Sequence, residues 1–411
     1  MTTVAEHPGV EDVEPSFADA ARAFLDAHAS RKDPEVTFVW GEGNDGVSIF
    51  EERDRAEERR QLADASAFRA ARFDAGFGWL TGPEAYGGRD RSRAYQQAYD
   101  AIEVEYDIPN QGFFLIGLGM VAPTILAHGS DHARERYLRA LHRGDIIACQ
   151  LFSEPGAGSD LASLQTRADR DGDEWVVNGQ KVWTSGAQYS DIGEVIARTD
   201  PSVPKHKGLT GFIVDMHAPG VEVRPLRQMT GGASFNEVFF TDVRVPDDDR
   251  LGDVNAGWGV ALTTLMNERA AIGAGGGTTS GAGVVTRLTE LARHMGRADD
   301  PIVRQRLADI HIRGNVARYT NRRAMAKIAV GQLPGPEMSI AKLTSTQLLQ
   351  RIGELAGDLL GPRLTADSGE WGTFAWAQLV VGTPGMRVAG GTDEVMRNII
   401  GERVLGLPKG P

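Results

Sequence analysis

Trp175-Val176-Val177-Asn178-Gly179-Gln180-Lys181-Val182-Trp183-Thr184-Ser185 is the most legible stretch of the chain. Asn-Gly tolerates the positive φ angles of a type I′ turn, so the apolar runs on either side are expected to pair as a hairpin. Around it, from about residue 147 to 253, short runs rich in Val, Ile, Phe and Trp alternate with Gly, Asp and Pro clusters. That is the texture of an antiparallel β domain. Further strands are expected at Gly211–Met216, Val221–Pro225 and Glu237–Val245, enough for a small barrel or sandwich.

On both sides the apolar period becomes helical. Before the β region come alanine- and arginine-rich stretches such as Arg53–Phe73 and the apolar run Phe113–Leu126, punctuated by Pro83, Gly87 and Gly88. After it, Asp300-Pro301 reads as an N-cap with proline at the first helical position, leading into Val303, Leu307 and Ile310 on one face. A second long helix carries Ile340, Leu343, Ile352, Leu355 and Leu359, and Gly361-Pro362 should stop it. The expected architecture is α+β and multidomain, mainly α: helical over 1–146, β over 147–253 and a helical bundle over 254–411.

A chain of 411 residues can bury a large cofactor, and its formal net charge of -12 with scattered Lys and Arg opposes nucleic acid as a partner. The single cysteine, Cys149, cannot form an internal disulfide and reads as a small buried residue. No segment approaches the roughly 18 to 20 consecutive apolar residues of a membrane span, so no membrane association is expected. Residues 1–17 are acidic and lack an apolar core behind a basic start, so they read as neither signal nor transit peptide. Cytoplasm is the default. The nine histidines show no metal spacing, and no metal site is expected.

Upstream of the opening stretch lies Gln150-Leu151-Phe152-Ser153-Glu154-Pro155-Gly156-Ala157-Gly158-Ser159-Asp160. Two glycines and a proline force a tight turn that a ligand could approach closely; read alone, it is a loop. In company with Trp183, whose aromatic plane could cover a flat ring, and with the hydroxyls of Thr184 and Ser185, it gains meaning. The two stretches, in this order and spacing, resemble the flavin-binding signatures of acyl-CoA dehydrogenases. Phe235–Pro246, then Leu251-Gly252 and Gly257-Trp258-Gly259, resembles that family's passage from β domain to C-terminal helices. Gly390-Gly391-Thr392-Asp393-Glu394-Val395-Met396-Arg397-Asn398 resembles its C-terminal signature. The matches span roughly Gly82 to Leu407.

The resemblance implies FAD as cofactor, an acyl-CoA substrate, an electron-transferring flavoprotein as acceptor, and a homodimer or homotetramer. Gln150, Phe152, Ser153, Gly158, Ser159, Trp183, Thr184 and Ser185 would hold the flavin, with Trp183 and Ser185 near its hydride-accepting nitrogen. Thr392 and Glu394 would touch the adenosine half. Ser159, Met266, Asn267, Arg269, Gly390 and Gly391 would line the substrate pocket. In many members a glutamate precedes the Gly-Thr of the C-terminal signature, where this chain has Gly390. A minority place the base on a C-terminal-domain helix directly before an arginine, and Met266-Asn267-Glu268-Arg269 fits that pattern. The chemistry needs such a carboxylate because an α-proton beside a thioester is only weakly acidic. Glu268 is therefore the expected base.

Two stretches depart from the family pattern. Ala292-Arg293-His294-Met295-Gly296 stands where Arg-x-x-Phe-Gly is usual, leaving Arg293 as the substitute. Glu354-Leu355-Ala356-Gly357-Asp358 replaces Gln-x-x-Gly-Gly, and carboxylates near a pyrophosphate are unfavourable without an intervening arginine or water. Gly357 would keep the FAD contact. Gly117-Leu118-Gly119-Met120-Val121-Ala122 satisfies only a loose dinucleotide pattern, without βαβ texture. The run Gly273–Gly277 lacks the Lys-Ser or Lys-Thr of a phosphate loop. Two rivals stay open: a non-catalytic subunit of a heteromeric dehydrogenase, or a flavin oxidase or monooxygenase on the same fold.

Overall fold

The structure is a computed structural model that describes residues 13–33, 38–47, 54–273, 281–329 and 335–409. Its N-terminal part is helical: α1 (Pro15–His28), α2 (Arg55–Asp74), α3 (Arg93–Glu103), α4 (Ala122–His128) and α5 (Asp131–Arg143), with a two-residue pairing of β1 (Ser30–Arg31) and β2 (Tyr106–Asp107). Ala21, Phe24 and Leu25 of α1 meet Phe68 of α2 and Tyr95 and Tyr99 of α3 in one apolar cluster. Each such side chain contributes about 1.5–3 kcal/mol by leaving water.

The apolar run before α4 is a 3₁₀ turn, then a π turn over Gly117–Val121. The loose dinucleotide glycines thus lie in helical turns, and a Cβ on Gly119 would stand only 3.4 Å from that of Ala271. The stretch Gln111–His128 is long and apolar enough to cross a membrane by length and composition, beyond what the sequence led us to expect. Here Val121, Ala122 and Ile125 are core residues at the junction with the sheet.

The middle part holds β3 (Ala148–Leu151), β4 (Arg167–Asp171), β5 (Glu174–Ser185), β6 (Ile192–Arg198), β7 (Leu209–Asp215), β8 (Val221–Leu226), β9 (Phe235–Pro246) and β10 (Arg250–Leu251). They form one eight-stranded sheet in the order β10-β7-β6-β4-β5-β9-β8, with β3 joined to β6. The sheet is mixed, because β3 runs parallel to β6 and β4 touches β6 in parallel, while the remaining pairs are antiparallel.

The hairpin expected at Asn178-Gly179 does not form. Glu174–Ser185 is one continuous strand, and the reversal comes earlier, at Gly172 (φ 65°) between β4 and β5. Asn178-Gly179 instead makes a bulge, with the register against β9 shifting between Val177 and Gly179. Its reason is twofold: the Asn178 side chain is tied to Asp242 by reciprocal bonds of 3.1 and 2.9 Å. A Cβ at Gly179 would also fall 2.7 Å from the Thr166 Cα, so only glycine admits that strand so closely.

Strands β6 and β7 are buried on both faces. Val195 and Ala197 turn into the β core with Phe212 and Val214, whereas Ile192 and Ile196 turn to the cluster shared with the helices. By that alternation Glu194 faces the helices. They are α6 (Gly257–Gly273), α7 (Gly281–His294), α8 (Pro301–Ala329), α9 (Met338–Leu360), α10 (Ala375–Met386) and α11 (Asp393–Ile399).

Leu288, Leu291, Ile352, Leu355, Trp376 and Leu379 close the C-terminal core. Asp300 caps α8 as expected, its Oδ1 accepting from Ile302 N at 2.8 Å, and Val303 and Ile310 are buried. Helix α9 ends at Gly361, whose φ of 52° no β-branched residue would accept readily. Most of the Gly273–Gly277 run lies outside the described residues.

Candidate functional site

The site is built where β3 leaves the sheet. Glu154, just beyond β3, is buried, and its carboxylate accepts from Gln165 N at 2.6 Å and Thr166 N at 2.9 Å. Lys181 of β5, fully buried, donates to Glu154 Oε1 at 2.9 Å, to the Phe152 carbonyl at 3.1 Å and to the Ile196 carbonyl at 2.9 Å. Val182 N donates to the Ser153 carbonyl at 2.9 Å. One buried ammonium thus clamps the Phe152-Ser153 turn onto β5. Burial pulls the Lys181 ammonium down to about 8, with the Glu154 carboxylate opposing. Burial pushes Glu154 up, but Lys181 and its other partners outweigh it and hold the carboxylate below its usual range. The pair is charged at neutral pH.

Directly after the clamp, β5 bulges again between Lys181 and Thr184. Trp183 takes φ of 63°, a left-handed backbone rare for a bulky residue, and its side chain stays 58% exposed. The indole leans edge-on to Phe235 with ring centres 5.9 Å apart. Thr184 is buried with no hydrogen-bond partner for its Oγ1 among the described residues, and Ser185 is half-buried. In the turn after Glu154, no atom lies within 4 Å of where a Cβ would stand on Gly156 or Gly158, and Ser159 is exposed.

Glu268 approaches from α6. It is half-buried; burial raises its carboxyl above the ordinary range, and the nearby Gln150 amide together with Arg269 and Lys342 reverses only part of that rise. Gln150 belongs to β3, two residues before Phe152, so the carboxyl and the clamped turn share one strand. Arg269 Nε donates to the Leu265 carbonyl at 2.9 Å and Asn267 Nδ2 to the Thr263 carbonyl at 3.0 Å, while Met266 is 38% exposed. The sequence reading missed Glu194 of β6, fully buried opposite Gln150 in register. Its signal was available: a lone carboxylate inside Ile192-Gly193-Glu194-Val195-Ile196-Ala197.

Lys342 of α9 links this region to the C-terminal signature, donating to Asp393 Oδ1 at 3.4 Å. Asp393 also accepts from Arg387 Nε at 2.8 Å and Thr346 Oγ1 at 3.1 Å. Burial pushes its carboxyl up, but these partners prevail and hold it below the usual range. Gly390 and Gly391 adopt φ of 66° and 95°, the left-handed region that disfavours any side chain. Thr392 caps α11, its Oγ1 accepting from Val395 N at 3.2 Å. Thr392→Ala is expected to lower stability by about 1 kcal/mol, read as a fall in urea midpoint at unchanged slope.

Family models for the N-terminal, middle and C-terminal domains of acyl-CoA dehydrogenases match residues 47–145, 149–243 and 255–405. The chain belongs to the acyl-CoA dehydrogenase family.

It is 37% identical to the acyl-CoA dehydrogenase IpdE1 of Mycobacterium tuberculosis, over 97% of this chain and 99% of that one. Among solved structures it is similar to the Tcur3481-Tcur3483 steroid ACAD, with a TM-score of 0.72 at 26% identity over the whole of both chains. It is also similar to the ChsE4-ChsE5 complex from Mycobacterium tuberculosis, with a TM-score of 0.70 at 29% identity over 97% and 99%. The three-part helical, β, helical fold is that of the acyl-CoA dehydrogenases, and the chain is an oxidoreductase of that family.

Family members depend on FAD. The residues at β3 and β5 fit such a group: an exposed indole at a strained bulge, an orphaned buried hydroxyl beside it, and a turn after β3 with open space at two glycines. The structure brings Gln150, Phe152, Ser153, Trp183, Thr184, Ser185 and Glu268 together. Arg293 and Gly357 lie elsewhere, on α7 and α9 of the C-terminal bundle; Arg293 is exposed and pairs with Glu290. Glu394 is exposed and pairs with Arg397 at 3.3 Å. The awkward carboxylate of Asp358 has its own arginine, Arg306. Cys149 is buried and its thiol is pushed up to about 12, as expected of a structural residue.

Proposed function

We propose that the chain catalyses α,β-dehydrogenation of an acyl-CoA thioester to the trans-2-enoyl-CoA, with Glu268 as the base that removes the α-proton. The observation that carries the reading is the part-buried carboxyl of Glu268, raised above its ordinary range and set near Gln150 on the strand that leads to the clamped turn. A carboxylate kept from water is a stronger base at neutral pH than one in solution. When bound, FAD accepts the hydride from the β carbon. Phe152, Ser153, Thr184 and Ser185 would hold its ring, Trp183 would cover it, and Gly158 and Ser159 would admit the pyrophosphate. Thr392, Glu394, Arg293 and Gly357 would serve an FAD bound mainly by a neighbouring subunit.

Met266, Asn267, Arg269, Gly390 and Gly391 would line the acyl pocket. A left-handed Gly390 cannot carry the base, which supports its transfer to α6. Units 1–146, 147–253 and 254–411, a cytoplasmic location and an electron-transferring flavoprotein as acceptor complete the proposal. Similarity to a steroid ACAD favours bulky ring-bearing acyl groups over short straight ones. Mixing the FAD-loaded protein anaerobically with a panel of acyl-CoAs should bleach the flavin band, most with ring-bearing thioesters; no bleaching by any of them would refute the reading. Two of the similar structures carry paired names, Tcur3481-Tcur3483 and ChsE4-ChsE5, which favours a mixed assembly as second reading over a homodimer or homotetramer. Under it, this chain alone would leave flavin oxidised and regain reduction on adding a second family member.

A further inference from the structure

Glu194 is a fully buried carboxylate that the reaction as proposed does not use. It stands on β6 between Ile192 and Ile196, on the face turned to the helices. Its Oε1 accepts from Thr264 Oγ1 at 2.6 Å, and Thr264 in turn lies 2.9 Å from Thr124 Oγ1. Its Oε2 has no hydrogen-bond partner, and no Lys or Arg pairs with it, among the described residues. Two contacts tie it to the base. Thr264 sits one helical turn before Glu268 on α6, on the same face. Gln150, whose amide lies near Glu268 and lowers its carboxyl, is the residue directly opposite Glu194 in the parallel register of β3 and β6.

We infer that Glu194 is a positioning residue for Glu268: a carboxyl kept neutral, which braces α6 through Thr264 and flanks the Gln150 amide so that the base is held at one geometry. The inference rests on the reading of Glu268 as base. An ionised Glu194 would leave a bare oxygen in an apolar setting and a second negative charge beside Glu268, whereas the neutral form avoids both. Burial pushes the Glu194 carboxyl up to about 8, Thr264 pulls it partly back, and the charge of Glu268 adds to the rise. The charged groups around the pair are Glu268 and Arg269 on α6 and Lys342 on α9, and the two cations act on Glu268. Ionisation of Glu268, which readies the base, therefore favours a neutral Glu194 beside it.

The test uses the FAD-loaded protein. Infrared spectra of the wild type should show a protonated-carboxyl band that vanishes as pH rises through about 8. Glu194→Gln should lack that band and Glu268→Gln should keep it. In anaerobic flavin reduction, Glu194→Gln should be at least about tenfold faster than Glu194→Ala, because the amide keeps the shape of a neutral carboxyl. The alkaline inflection of the wild-type rate should be missing in Glu194→Gln. A band that survives Glu194→Gln, or wild-type and Glu194→Gln profiles that coincide, would overturn the inference. Should that variant not fold, Thr264→Val decides: losing the donor must move the band's titration to higher pH, and an unmoved band overturns the inference. Failure of the base reading would appear separately, as normal flavin reduction in Glu268→Gln.

Discussion

Glu268→Gln is expected to slow flavin reduction by acyl-CoA by about 10²- to 10⁴-fold, the range lost when a positioned general base is removed. The amide keeps the size of the carboxyl and a partner for Gln150, so flavin content and melting should change little. The pH dependence has a definite sign. Glu268 must be ionised to accept the α-proton, and burial raises its carboxyl above the ordinary carboxylate range. The wild-type rate should therefore fall with acidification earlier than an exposed glutamate would allow, and the fall should be absent from the residual rate of the variant. Stopped-flow reduction across pH checks both. Near-normal reduction in Glu268→Gln would remove this residue from the role, and with Gly390 at left-handed backbone the C-terminal signature offers no carboxylate at that position to replace it.

Glu268 was expected from a pattern, whereas Glu194 was passed over. Glu268 sits in a pattern, directly before Arg269 on a helix, and a pattern can be matched. Glu194 shows in the sequence only as a lone carboxylate in an apolar run; that β3 and β6 pair in parallel, which sets it opposite Gln150, leaves no mark in local sequence. The same limit explains the misplaced hairpin. Asn178-Gly179 has the local chemistry of a turn, but pairing of β5 with β9 along its length prevails and converts the dipeptide into a bulge held by Asp242. Where local chemistry and tertiary structure agree, as at Asp300-Pro301 or Gly361, the helix ends were legible to the residue. The FAD contacts of Arg293 and Gly357 were inferred from resemblance, and among the described residues nothing ties them to the turn at Phe152.

Lys181→Met should be the most damaging single change to the fold of the site, costing about 3–5 kcal/mol in urea unfolding, because it strands a buried carboxylate. Glu154 would keep its bonds from Gln165 N and Thr166 N but lose its counter-charge. The Phe152 and Ile196 carbonyls would each lose a buried donor, at about 1–3 kcal/mol for a group left unsatisfied. The damage should be local as well as global, since the same ammonium clamps the Phe152-Ser153 turn onto β5 just before Trp183. Flavin should then wash out of the variant on gel filtration at a temperature where the protein is still folded. Glu154→Gln on top of Lys181→Met removes the stranded charge, so the double variant should be more stable than Lys181→Met alone, with a coupling energy above about 1 kcal/mol in the cycle. Additive losses would mean that the two residues are independent, and retained flavin in Lys181→Met would mean that the turn is held by something other than this ion pair.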